Sequence, residues 1–100
     1  MRFSVVVGLL ITGPIDSLEG ALDEVMDELV KLNAIDPSIS AELDKAQVEV
    51  SLALDADTLA EAATAGLGTV RTALHAAELH TPIWPVFGDR LSVVAELVNA

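Results

Sequence analysis

Few residues of this chain have the type and spacing to do chemistry. His75 and His80 are its two histidines. Five positions apart on a helix, they point about 140° away from each other. They cannot share one ion, and no HxxxH or ExxH spacing replaces them. A solvated role at a helix end is expected, with His80 favoured near a C-terminus by the helix dipole. Asp23, Glu24, Asp27 and Glu28 could draw a hard cation or a basic partner. Calcium needs oxygens converging from a loop, which helical spacing does not provide, so a solvated acidic face is the plainer reading. The serines lie outside any GxSxG elbow, and the glycines form neither GxGxxG nor a Walker pattern. With no cysteine, disulfides and thiolate chemistry are excluded and a reducing compartment is allowed. No catalytic, cofactor or metal residue is therefore assigned, and the expectation is a non-enzyme.

Trp84 is the exception. It sits in the irregular segment His80 to Arg90, with Ile83 between Pro82 and Pro85. A lone tryptophan held by prolines packs on apolar surface, either its own core edge or a partner, where such residues serve as anchors. His80, Trp84 and Phe87 could together line a small pocket.

The elements that position these residues follow from periodicity. Phe3 to Ile11 alternates with apolar residues on both faces, as in a central strand; Thr12-Gly13-Pro14 ends it. Asp16 or Ser17 can cap a helix carrying Leu18, Leu22, Val25, Leu29 and Leu32 in one stripe, widened by Ala21, Met26 and Val30. Asn33 and Asp36-Pro37 mark its exit. Ile39 to Leu43 and Gln47 to Leu54 form a hairpin turning at Asp44-Lys45-Ala46, the first strand being polar enough for an edge. Thr58 and Glu61 make a capping box for a second helix with Leu59, Ala63, Leu67, Val70, Leu74 and Ala77 facing the core. Gly66 and Gly68 interrupt it, either for close packing or as a hinge. Leu91 to Val98 closes the set after a turn at Gly88-Asp89.

One hundred residues with 52% hydrophobic content fit one domain, 1–100, with a packed core. The N-terminal apolar run lacks a small-x-small cleavage site and is too short to span a bilayer, so a strand in a cytoplasmic protein is expected. Sixteen acids against five bases leave a formal charge of −11, which repels nucleic acids and anionic membranes. Solubility explains it simply; a basic protein partner explains it more sharply.

This βαββαβ order resembles the ferredoxin-like superfold over nearly the whole chain. The resemblance implies an α+β domain, a four-stranded antiparallel sheet with two helices on one face. The chain also looks like small acidic actinobacterial proteins of that fold, most of which have no assigned activity. If the odd-numbered residues of the first strand face the helices, Val6, Leu10, Val94 and Val98 lie bare on the other face and need a cover. A second copy of the chain and the Trp84 loop are the two candidates. The leading expectation is a non-enzymatic interaction module, homodimeric through Val6, Leu10, Val94, Val98 and Trp84. One alternative resembles the cofactor-free monooxygenases, dimeric α+β proteins with a small-molecule pocket between sheet and helices. Another is an acidic, antitoxin-like inhibitor that captures a basic partner through the first helix.

Overall fold

The structure is a computed structural model describing residues 1–11, 18–32, 34–78 and 87–98, with backbone only for Glu78 and 87–92. The elements are β1 (Arg2–Ile11), α1 (Leu18–Lys31), β2 (Ile35–Glu42), a 3₁₀ turn (Leu43–Lys45), β3 (Gln47–Asp55), α2 (Leu59–Glu78) and β4 (Phe87–Leu97). Their sheet has the order β2-β3-β1-β4, antiparallel throughout, with β1 and β3 central. This is the ferredoxin-like α+β architecture that the element order predicts. Both helices pack on one face: α2 against β1, β4 and β3, and α1 against α2 and the edge strand β2.

Alternation in β1 divides the sheet as expected. Phe3, Val5, Val7 and Leu9 are buried under the helices with Val48, Val50 and Leu52 of β3. Val25 and Leu29 of α1 and Val70 and Leu74 of α2 close the core from above. The α2 capping box forms, with the Glu61 amide donating to Thr58 Oγ1 at 3.1 Å. The Glu61 carboxylate takes the Asp57 amide at 3.3 Å, one residue before the usual position.

Several boundaries differ from those read in the sequence. β2 begins at Ile35, not Ile39, because Asp36-Pro37 does not end an element but bulges an edge strand. Asp36 adopts φ 46, a left-handed conformation that aspartate tolerates, and a proline without an amide hydrogen costs an edge strand little. β4 begins at Phe87, not Leu91. Leu9 pairs with Leu91 but Ile11 with Phe87, so β4 carries two extra residues there, and Gly88-Asp89 marks a bulge instead of a turn.

The helical stripes are also narrower, or rotated. In α1, Val30 and Leu32 are exposed, while Glu28, expected on the solvated side, is only 7% exposed. Its carboxylate accepts from Lys31 Nζ at 3.1 Å, which raises the lysine's pKa through that hydrogen bond. In α2 the fully buried residues are Ala62, Val70, Ala73, Leu74 and Ala77, whereas Leu59 is exposed and Ala63 and Leu67 are only half-buried. Small residues turn inward because the helix lies close on the sheet. A Cβ built on Gly66 would meet Val5 Cγ1 at 2.5 Å, whereas one on Gly68 meets nothing within 4 Å. Close packing therefore explains Gly66 and not Gly68.

The free ends of β1 and β3 are tied by charge. Arg2 and Asp55 are register partners, and Arg2 Nε and Nη2 donate to the Asp55 carboxylate at 2.8 and 3.3 Å. The hydrogen bond from Arg2 holds the Asp55 carboxyl below its usual range. A group depressed on folding contributes stability above its unfolded pKa and loses it as pH falls through the folded one. Asp55→Asn is accordingly expected to melt slightly below wild type at neutral pH and to match it in strong acid. The effect is small because the bridge is exposed. Melts across acidic pH check this: a gap that stays constant into strong acid assigns the loss to something other than the bridge.

Candidate functional site

Of the candidate residues read from the sequence, the structure describes those of the helix-free sheet face. On the helix-free face Val6 and Val94 are register neighbours across β1 and β4. Leu10 lies four residues along β1, and Val98, whose amide donates to the Arg2 carbonyl at 2.9 Å, lies four residues beyond Val94, just past the end of β4. Leu10 is 41% exposed and Val94 56%, while Val6 is half-buried. The β3 half of this face carries Glu49, Ser51 and Ala53, with Ser38 Oγ and Ser51 Oγ bonded at 2.9 Å. The apolar residues of the face lie along β1 and β4, interrupted by Ser4 and Glu96, and β3 is the more polar strand, as the alternation predicts. Trp84 and His80 lie outside the described residues, as do Asp16, Ser17 and Asn33; Phe87 is described only as the β4 residue opposite Ile11.

Among the described residues, a concave site lies elsewhere, between α1 and β2. A cleft of about 550 Å³ is lined by Leu18, Glu19, Leu22, Asp23 and Met26 from the helix and by Ile39, Ala41 and Leu43 from the edge strand and the 3₁₀ turn. It arises from a mismatch in cover. Two helices lie over four strands, with α2 on the sheet centre and α1 leaning on α2. The inward-facing residues of β2 and the turn after it are thus only partly roofed, leaving Ile39 half-buried and Ala41 and Leu43 exposed. Leu18 is buried at one wall, and Leu22 and Met26 are half-buried. The volume falls within the few hundred Å³ that small-molecule sites occupy, and the lining is mostly apolar with a few polar groups, as such sites are.

What the cleft can do chemically follows from its lining. Leu, Met, Ile and Ala exclude water from an apolar body. The two carboxylates, Glu19 and Asp23, are solvent-exposed and sit four residues apart on α1, hence on one rim. Neither takes part in an ion pair or side-chain hydrogen bond among the described residues. Lys31 is held by Glu28, Lys45 by Glu42 at 3.0 Å, and Arg2 by Asp55. Among the described residues no cluster of three His, Cys, Asp or Glu side chains could hold a metal ion, no side-chain polar atom is buried without a partner, and no helix is long and apolar enough to cross a membrane.

The sequence contains a signal for this cleft that the strand and helix patterns, taken separately, do not reveal. Leu22 and Met26 line the cleft from the α1 stripe, and Ile39 and Ala41 of the edge strand with Leu43 of the 3₁₀ turn line it from the other side. Only the placement of α1 brings these two sets face to face.

No family model and no curated protein matches this sequence. Two solved structures do. Rv0793 from Mycobacterium tuberculosis matches with a TM-score of 0.57 at 8% identity, over 100% of this chain and 97% of its own. A protein from Chloroflexus aurantiacus J-10-fl, named as a candidate antibiotic biosynthesis monooxygenase, matches with a TM-score of 0.52 at 14% identity, over 100% of this chain and 97% of its own. At such identities the likeness establishes the fold. It lends no support to the resemblance to acidic actinobacterial proteins. It also overturns the leading expectation of a non-enzymatic interaction module: the whole-chain likeness includes a candidate monooxygenase, and the small-molecule alternative fits both that likeness and the cleft.

Proposed function

We propose that this chain binds a small, largely apolar molecule in the α1–β2 cleft and works as a monooxygenase-like, dimeric α+β protein with no resident cofactor. The cleft carries the proposal: about 550 Å³ between helix and sheet, walled by aliphatic side chains and Met26. The likeness of fold to a candidate monooxygenase supports the choice of reaction class over simple storage or transport. An oxygenation without flavin or metal draws its electrons from the bound molecule itself. Dioxygen gives one oxygen atom to that molecule, and the other leaves as water with two hydrogens from it. The protein's part is then to bind, orient and desolvate the substrate, which an apolar cleft does.

A neutral fluorescent dye such as Nile red tests the site. Wild type is expected to bind it with enhanced emission, and Ala41→Trp, which sets an indole into the cleft from an edge strand that accommodates aromatics, is expected to lose that binding. An apolar molecule extracted from the wild-type protein but not from Ala41→Trp, and consuming oxygen when returned to it, would extend the result to the reaction. Equal dye binding by both proteins, or none by either, would remove the cleft as the site.

A further inference from the structure

We propose that the α1–β2 cleft selects molecules that join a cationic amine to an apolar body. The inference rests on the cleft being the small-molecule site proposed above and adds its charge preference. Glu19 and Asp23 are the only charged groups in the lining among the described residues. Their spacing sets them side by side on the rim, where two like charges repel each other unless a cation lies between them.

The neighbouring bases do not relieve this repulsion. Lys45, two residues beyond the lining Leu43, is paired with Glu42 at 3.0 Å, and Lys31 is paired with Glu28 at 3.1 Å. The N-terminus of α1 contributes about half a positive charge, which two full negative charges in the first two turns outweigh. The formal charge of −11 acts in the same sense, concentrating cations at the surface and repelling anions. An apolar body on Leu22, Met26 and Ile39 with its ammonium group at Glu19 and Asp23 satisfies both parts of the lining. A neutral ligand satisfies only one, and a carboxylate ligand is opposed.

Three probes of matched shape separate these cases by calorimetric titration: 1-naphthylmethylamine, 1-naphthalenemethanol and 1-naphthoate. Wild type is expected to bind the amine about tenfold tighter than the alcohol, the size two exposed ion pairs acting together can reach, and the naphthoate most weakly. Added salt should shrink the amine's advantage. In Glu19→Gln/Asp23→Asn the amine should fall to the level of the alcohol, whose own affinity is unchanged. Both replacements are isosteric and exposed, so the fold is retained.

Amine and alcohol binding equally to wild type would overturn the charge preference and leave the cleft standing as a small-molecule site. So would naphthoate binding tightest. An amine preference that survives in the double variant would overturn it as well, by placing the charge recognition elsewhere. If none of the three binds, the cleft itself fails, and both proposals fall together.

Discussion

Gly66→Ala is expected to destabilise the protein by about 2 kcal/mol, whereas Gly68→Ala, two positions on in the same helix, is expected to stabilise it by about 1 kcal/mol. Both substitutions gain the same helix propensity, about 1 kcal/mol over glycine. They differ in what the new methyl group meets. At Gly66 it would stand 2.5 Å from Val5 Cγ1, 2.8 Å from Val5 Cβ and 3.0 Å from Val5 Cγ2. Val5 is fully buried and β-branched, so it has no room to retreat and few rotamers to choose from. Overpacking of this kind costs about 1–3 kcal/mol, and three contacts this short put the site at or above the upper end. At Gly68 the methyl enters open space. For a domain this small, a loss of about 2 kcal/mol lowers the melting midpoint by roughly 10 °C. In a Val5→Ala background the loss at Gly66 should shrink, since Cγ1 and Cγ2 are gone while Cβ still stands 2.8 Å from the new methyl. Thermal melts of the four variants decide the matter. An unchanged or raised midpoint for Gly66→Ala in the wild-type background would show that α2 does not approach β1 this closely.

The contrast between the two glycines shows where the sequence stops being legible. Hydrophobic periodicity identifies both helices and all four strands here, and the alternation of Phe3, Val5, Val7 and Leu9 identifies the buried face of the sheet. What it cannot supply is rotation of a helix about its axis. Leucine marks the core in the sequence pattern of α2, yet Leu59 is exposed and Ala62, Ala73 and Ala77 are buried. A helix lying close on a sheet selects residues for size, and small residues carry almost no periodic signal. Turn residues mislead for a related reason. Asp36-Pro37 and Gly88-Asp89 have turn chemistry, but a bulge in an edge strand needs the same left-handed or amide-free positions as a turn. The cleft was invisible on similar grounds. Each wall belongs to a local pattern that is complete in itself, and the gap between them depends on α1 packing against α2 instead of centring over β2. Function was legible least of all, because the sequence carries no catalytic or cofactor motif and the cleft's residues are set together only by the fold.

The largest effect is expected on self-association. In the dimeric reading, wild type should show twice the chain mass of 10.4 kDa by light scattering, and Leu10→Glu/Val94→Glu should be a folded monomer. Both residues are more than two-fifths exposed in a single chain, so glutamate there leaves the protomer intact. A two-fold contact buries each substituted position twice, placing four carboxylates in one apolar interface. Each unpaired buried charge costs several kcal/mol, enough together to weaken association by well over a thousandfold. The carboxylates of the same face constrain how two copies meet. Glu49 opposes Gly8 on β3 and Glu96 opposes Ser4 on β4. A contact over Val6 and Val94 must therefore leave both Glu49 and Glu96 at its rim, where water and ions screen them. Two chains of formal charge −11 repel, so the dimer should tighten as salt is added. That is opposite in sign to the amine binding proposed for the cleft, which salt weakens. One salt series therefore reports on both surfaces of the same protein. A wild type that stays monomeric from low to high salt would remove the sheet face as a self-association surface and leave the cleft to act within a single chain.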